Sequence, residues 1–112
     1  MKFALLVYNR PDRIEALSEE QRKRMFEEYR ALYDAPGVVS LGRLKDAQSA
    51  TTVRIQDGKT LITDGPFADT KEIFAGWFLL DADDIDGALA FAERIPATRL
   101  GGCVEVRPFV ER

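Results

Sequence analysis

Apolar residues at every position from Phe3 to Tyr8 predict a strand over residues 2–8 that is covered on both faces, with Phe3, Leu5 and Val7 on one side and Ala4, Leu6 and Tyr8 on the other. Asn9-Arg10-Pro11-Asp12 reads as a loop. The period then changes. Met25, Phe26, Tyr29, Leu32 and Tyr33 recur at helical spacing behind Ser18, an N-cap whose capping box is completed by Gln21. Pro36-Gly37 stops that helix. Val38 to Lys45 predicts a second strand, with Val39, Leu41 and Arg43 on one side and Val38, Ser40, Gly42 and Leu44 on the other. After the polar loop Asp46 to Ala50, segments 51–56 and 59–63 flank Asp57-Gly58, the signal of a two-residue hairpin. Its register sets Val53 opposite Ile62 and Arg54 opposite Leu61, so Val53, Ile55 and Ile62 share a face.

Phe74, Trp77, Phe78, Leu79 and Leu80 load both faces of a strand over 73–82. Asp83, Asp84 and Asp86 open a second helix, where acids complement the helix dipole, and Ile85, Ala88, Leu89, Ala92 and Ile95 form its expected buried stripe. Pro96 marks its end. A last strand, Cys103 to Phe109, alternates Val104 and Val106 with Glu105 and Arg107, and Pro108 suits a sheet edge. The order is the α+β, ferredoxin-like βαββαβ plan with an inserted β-hairpin, in one domain over residues 1–112. In that plan the first and third core strands are central, and these are the two segments that are apolar on both faces. Two helices cover only one face of the sheet. The other still carries apolar residues, so a homodimer with sheets facing each other, a dimeric α+β barrel, is expected. The alternative is the insertion folding over that face.

Composition narrows the function. The 112 residues are 46% hydrophobic and 31% charged, as in ordinary globular domains. A net charge of -3 argues against nucleic acid as a partner. No apolar run approaches the ~20 residues needed to span a bilayer, so no membrane partner is expected. One cysteine, Cys103, excludes an internal disulfide and makes a reduced, cytoplasmic setting the default. With no histidine, imidazole bases, Ser-His or Cys-His nucleophiles and histidine metal ligands are all excluded. Any acid–base chemistry falls to Asp, Glu, Lys, Tyr or the lone Cys.

The densest turn chemistry lies in Thr63-Asp64-Gly65-Pro66-Phe67-Ala68-Asp69-Thr70-Lys71-Glu72. This stretch resembles the DGPF signature of the YCII-related (YciI-like) proteins. The resemblance extends to Met1–Tyr8, Ala50–Arg54, Gly76-Trp77-Phe78, Ala92–Pro96 and Val104–Pro108, nearly the whole chain. It implies a ferredoxin-like, dimeric α+β-barrel fold and little about activity. Members of the DGPF branch are often encoded beside extracytoplasmic-function sigma factors. Other YciI-like branches carry a His-Asp pair proposed to be catalytic, and this histidine-free chain has no counterpart for it.

Asp64-Gly65-Pro66 can serve simply to re-aim the backbone from the hairpin into the central strand, with Phe67 as a core or interface plug. Alternatively the turn rims a pocket near a dimer seam, with Asp64 as the weak catalytic candidate or a hydrogen-bond acceptor and Lys71 as an anion contact. The candidate ligand-binding residues are Tyr8, Arg43, Asp64, Phe67, Lys71 and Trp77, although Tyr8 and Trp77 also suit a plain core. Asp81, Asp83, Asp84 and Asp86 lack calcium-loop spacing, because Ile85 and Ala92 stand where oxygen ligands are needed. Arg22-Lys23-Arg24 reads as a solvated helix face, Cys103 as a buried inert thiol, and Gly101-Gly102 as a turn. No dinucleotide or P-loop pattern occurs, so neither cofactor nor metal is expected. Three functions are open: a small-molecule-binding homodimer, a small cofactor-independent enzyme using Asp, Lys or Tyr, and a protein-interaction module in transcriptional regulation.

Overall fold

Lys2–Asn9 forms the first strand, β1, and buries Phe3, Leu5 and Val7 on one side while Ala4, Leu6 and Tyr8 stay half-exposed on the other. The structure, a computed structural model, describes residues 1–68 and 70–111. Strand β2 is Val38–Arg43, β5 is Ile73–Asp81 and β6 is Cys103–Pro108; with β1 they make one antiparallel sheet in the order β2-β5-β1-β6. The two strands expected to be central are central, and the edge position expected for the last strand is observed. This is the ferredoxin-like strand order, with an α+β architecture.

Helix α2, Glu19–Tyr33, starts at the Ser18 capping box: the Gln21 backbone N–H donates to Ser18 Oγ, and the Ser18 backbone N–H donates to Gln21 Oε1. It presents Met25 and Leu32 to the core, with Tyr29 and Tyr33 partly covered and Phe26 exposed. Helix α3, Ile85–Glu93, is N-capped by Asp84, whose Oδ1 accepts from the Gly87 N–H at 2.9 Å. Its buried face is Ala88, Phe91 and Ala92, continued by Ile95. Ile85 and Leu89, expected in the stripe, flank it and are exposed. The i, i+3, i+4, i+7 set beginning at Ala88 includes the large Phe91, which packs edge-on against Phe78 with ring centroids 5.5 Å apart.

Three further corrections concern residues 11–15, Arg22 and the start of β2. Pro11 and Asp12, expected as loop, open a short helix, α1 (Pro11–Glu15), with Pro11 in the first turn, where its missing N–H is not needed. Arg22, expected on a solvated face, donates from its guanidinium to the Ile14 carbonyl at 3.1 Å and so ties α1 to α2. In β2 the pairing slips between Val38 and Ser40, so Val38 faces Leu80 and joins Leu41 on the core side, opposite to the simple alternation.

The insertion forms a separate two-stranded hairpin, β3 (Thr51–Gln56) and β4 (Lys59–Asp64), in the expected register. Asp57 and Gly58 take φ of 52° and 76°, the positive angles that a tight hairpin turn requires. Val53, Ile55 and Ile62 do share a face, and no described part of the chain covers it: Ile55 is 73% exposed.

Candidate ligand-binding site

The sheet has one face against α2 and α3 and one open face, and the six sequence-nominated residues divide between these faces, the hairpin and the segment that follows it. Tyr8 and Trp77 lie on the open face. Tyr8 packs on Phe74 with centroids 5.5 Å apart, and the Trp77 indole covers Gly42, where a Cβ would meet the ring at 2.2 Å. Neither is the core residue that size alone suggests; Trp77 is 38% exposed. Arg43, at the end of β2, is on the helix side, its guanidinium 5.8 Å from the Phe26 ring centroid. Asp64 ends β4 in the exposed hairpin and is not part of the lining of the enclosed space or of either open groove. Phe67 is 79% exposed, which rules out the core-plug reading within this chain. It lines an open groove with Tyr8 and Phe74, while Lys71 lines a neighbouring one beside Arg10 and Asp12.

The turn at Gly65 is held by backbone geometry. Gly65 has φ of 99°, its N–H donates to the Ala50 carbonyl at 2.7 Å, and the Thr52 hydroxyl donates to the Gly65 carbonyl at 2.8 Å. These bonds latch the hairpin's exit to its entry. Asp69 lies outside the described residues.

A better-enclosed space lies between α1, α2 and the helix-facing side of the sheet. It has a volume of about 200 Å³. Val7, Met25, Gly76 and Phe78 form its buried part, Tyr29, Tyr33 and Leu41 its half-buried walls, and Phe26 and Arg43 its exposed rim. Ile14 of α1 and Asn9 at the end of β1 close the side nearest α1. The cavity exists partly because Gly76 offers no side chain on the core-facing side of β5. A Cβ there would stand 2.4 Å from the Gly42 carbonyl oxygen on β2. Trp77 also borders the cavity, but with its ring over Gly42 on the other face its main chain makes that border.

Polar groups around this space are few. Asn9 Oδ1 is buried and has no hydrogen-bond partner among the described residues. Burial pushes the Tyr29 hydroxyl up to about 12, so it stays protonated at neutral pH. Arg43 is the one charged residue of the lining, and it makes no ion pair with any described residue. By contrast Arg10, at the head of α1, is occupied: its Nε and Nη2 donate to the Asp12 carboxylate at 3.0 and 2.7 Å, and that hydrogen bonding holds the Asp12 carboxyl below its usual range. Among the described residues no group of three or more Asp, Glu, Cys or His is placed to hold a metal ion.

Of the nominated residues only Arg43 contributes a side chain to this space. Sequence reading assigned Val7, Met25, Tyr29, Tyr33 and Phe78 to plain core and Asn9 to a loop. The signals that point to a cavity are Gly76 inside an apolar strand and two tyrosines four residues apart on a buried stripe. Cys103, expected to be a buried thiol, is exposed on the open face, opposite Tyr8 on edge strand β6.

Comparison with known proteins agrees with this architecture. An uncharacterised protein of Rhizobium meliloti (strain 1021) is 35% identical over 113 residues, covering 96% of this chain and 91% of that one. A solved structure, that of 5-chloro-2-hydroxyhydroquinone dehydrochlorinase from Burkholderia phenoliruptrix AC1100 in complex with 2,5-dihydroxybenzoquinone, matches with a TM-score of 0.54 and 16% identity over 100% of this chain and 96% of that one. At that identity the likeness is one of fold. No helix among the described residues is long and apolar enough to cross a membrane. The model of the YCII-related domain matches residues 1–111, and the chain belongs to the YCII-related family.

Proposed function

We propose that this protein is a homodimer that binds a small molecule in the space between α2 and the sheet. The observation that carries this reading is the cavity itself. At about 200 Å³ it exceeds the ~150 Å³ that accommodates benzene in an apolar protein interior. Its lining is mostly apolar and aromatic with a few polar groups at one side, the usual make-up of a ligand site. The open face of the sheet, with Leu6, Tyr8, Trp77 and Leu79 left partly bare, supports the dimer.

A second reading, an enzyme, is favoured by the fold shared with a dehydrochlorinase. In this chain the tyrosines at the cavity are its candidate acid–base groups. Tyr29, protonated to about pH 12, is suited to donate a hydrogen bond and poorly suited to remove a proton. Binding without turnover is therefore the stronger reading. Asp64 and Lys71, the earlier candidates for acid–base and anion roles, sit outside the cavity and are assigned no part in it.

A metabolite screen by thermal shift, followed by ¹⁵N–¹H NMR mapping, tests this. The expected result is a ligand that stabilises the protein, emerges unaltered, and perturbs amides of β1, α2 and β5 around Val7, Met25 and Gly76. Asp64→Asn should bind as wild type does. Turnover of a bound compound would favour the enzyme. Ligands that perturb only the hairpin or the 63–68 turn would overturn the cavity as the site.

A further inference from the structure

On the reading that this cavity is the ligand site, we infer that its ligand class is the single-ring aromatic carboxylate: one aromatic ring carrying an acid group.

Size sets the first limit. A space of about 200 Å³ takes one six-membered ring and small substituents. Shape sets the second. Phe26, Tyr29, Tyr33 and Phe78 surround the space, and Met25 adds a polarisable thioether. An aromatic guest gains edge and face contacts with such walls, and sulfur contacts with its ring, that a saturated ring of the same size does not.

Charge sets the third. Arg43 is the single charged lining residue, it is a cation, and no described acid neutralises it. Its guanidinium is already oriented over the Phe26 ring at the rim. A planar guanidinium matches a carboxylate with two parallel N–H donors. Because Arg43 is exposed, a carboxylate beside it keeps part of its hydration, and the desolvation cost that penalises buried charge stays small. A cationic ligand meets no acid in the lining.

The side nearest α1 adds no polar group within a ligand's reach, because Asn9 Oδ1 is buried there. It carries the cavity residue Ile14, and Arg22 donating to the Ile14 carbonyl ties α1 to α2.

The test is isothermal titration with 4-hydroxybenzoate, benzoate, p-cresol and cyclohexanecarboxylate, with NMR to place each one. Both aromatic acids should bind, with cyclohexanecarboxylate about three- to ten-fold weaker than benzoate. Arg43→Gln should weaken 4-hydroxybenzoate by about ten-fold or more, with Arg43→Lys intermediate. Arg43 is exposed and unpaired among the described residues, so both variants should fold, and their NMR spectra check that directly. If p-cresol binds as tightly as the acids and Arg43→Gln changes nothing, the aromatic-carboxylate class is overturned while the cavity remains a ligand site. If no single-ring probe perturbs cavity amides of the folded protein at millimolar concentration, the class and the site reading fall together.

Discussion

Gly76 shows how one missing side chain shapes both packing and site. Its position on the core-facing side of β5 leaves space between Val7, Met25 and Phe78, and its backbone lies close to β2. A methyl group at 76 would press at 2.4 Å on the Gly42 carbonyl oxygen, a backbone atom that cannot swing away. Gly76→Ala should therefore cost about 1–3 kcal/mol, as overpacking does, and urea unfolding measures it. Wild-type stability in that variant would show that the strands part easily there. Tyr29 gives a pH signature. Burial raises its hydroxyl from 10.0 to about 12, which favours the neutral phenol in the folded chain. That contribution is intact below pH 10, where the unfolded chain also keeps its proton. It is lost as the pH rises toward 12, by roughly 2–3 kcal/mol. The loss between pH 10 and 12 should be visibly smaller in Tyr29→Phe, compared with wild type by denaturant unfolding at matched pH.

At the scale of elements, α3 separates what a helical period implies from what a helix buries. Ile85, Ala88, Leu89, Ala92 and Ile95 are a legitimate apolar stripe, but a neighbouring stripe containing Phe91 faces the sheet. The bulkier residue reaches Phe78 and fills the layer between helix and sheet, so the helix turns by part of a period to place it there. Phe91→Ala should cost about 3–5 kcal/mol, whereas Leu89→Ala, at an exposed position, should stay within about 1 kcal/mol. Equal losses would mean that the helix sits differently. The hairpin behaves in the opposite way: its register was legible down to single pairs because a two-residue turn leaves only one alignment. The bulge in β2 was not legible. An extra residue in a strand shows itself only against its partner, and both β2 registers leave an apolar residue on each face.

For the whole molecule, shape and surface point the same way. The radius of gyration is 15.9 Å, against about 13 Å for a compact chain of this length, and the extents are 45 × 44 × 19 Å. The excess comes from a thin two-layer body and a hairpin that no described part of the chain covers. Such a slab leaves Leu6, Trp77 and Leu79 on an open face. Two copies joined face to face would cover it, which is the proposed dimer. Sedimentation at micromolar concentration should give twice the 12.6 kDa chain mass, and Leu79→Glu should give the single-chain mass with an unchanged far-UV spectrum. A wild-type monomer would remove the dimer.

Local chemistry along the chain determined the elements, their order and the two central strands. Each follows from short-range facts: the Ser18 capping box, the Asp57-Gly58 turn, and apolar residues on both faces of residues 2–8 and 73–82. The family was equally legible, from the 63–72 stretch and its companions. Which residues share a space was decided by the tertiary structure. Tyr8, Arg43 and Trp77 all lie on core strands, yet pleating and a bulge send Arg43 to one face and the other two to the opposite one. Asp64 and Lys71 are seven residues apart, and the latched turn leaves them on separate features, the hairpin and a groove beside α1. A cavity is what packing fails to fill, so it depends on the relative positions of β1, α1, α2 and β5 together, and no single stretch of residues 1–112 contains that information.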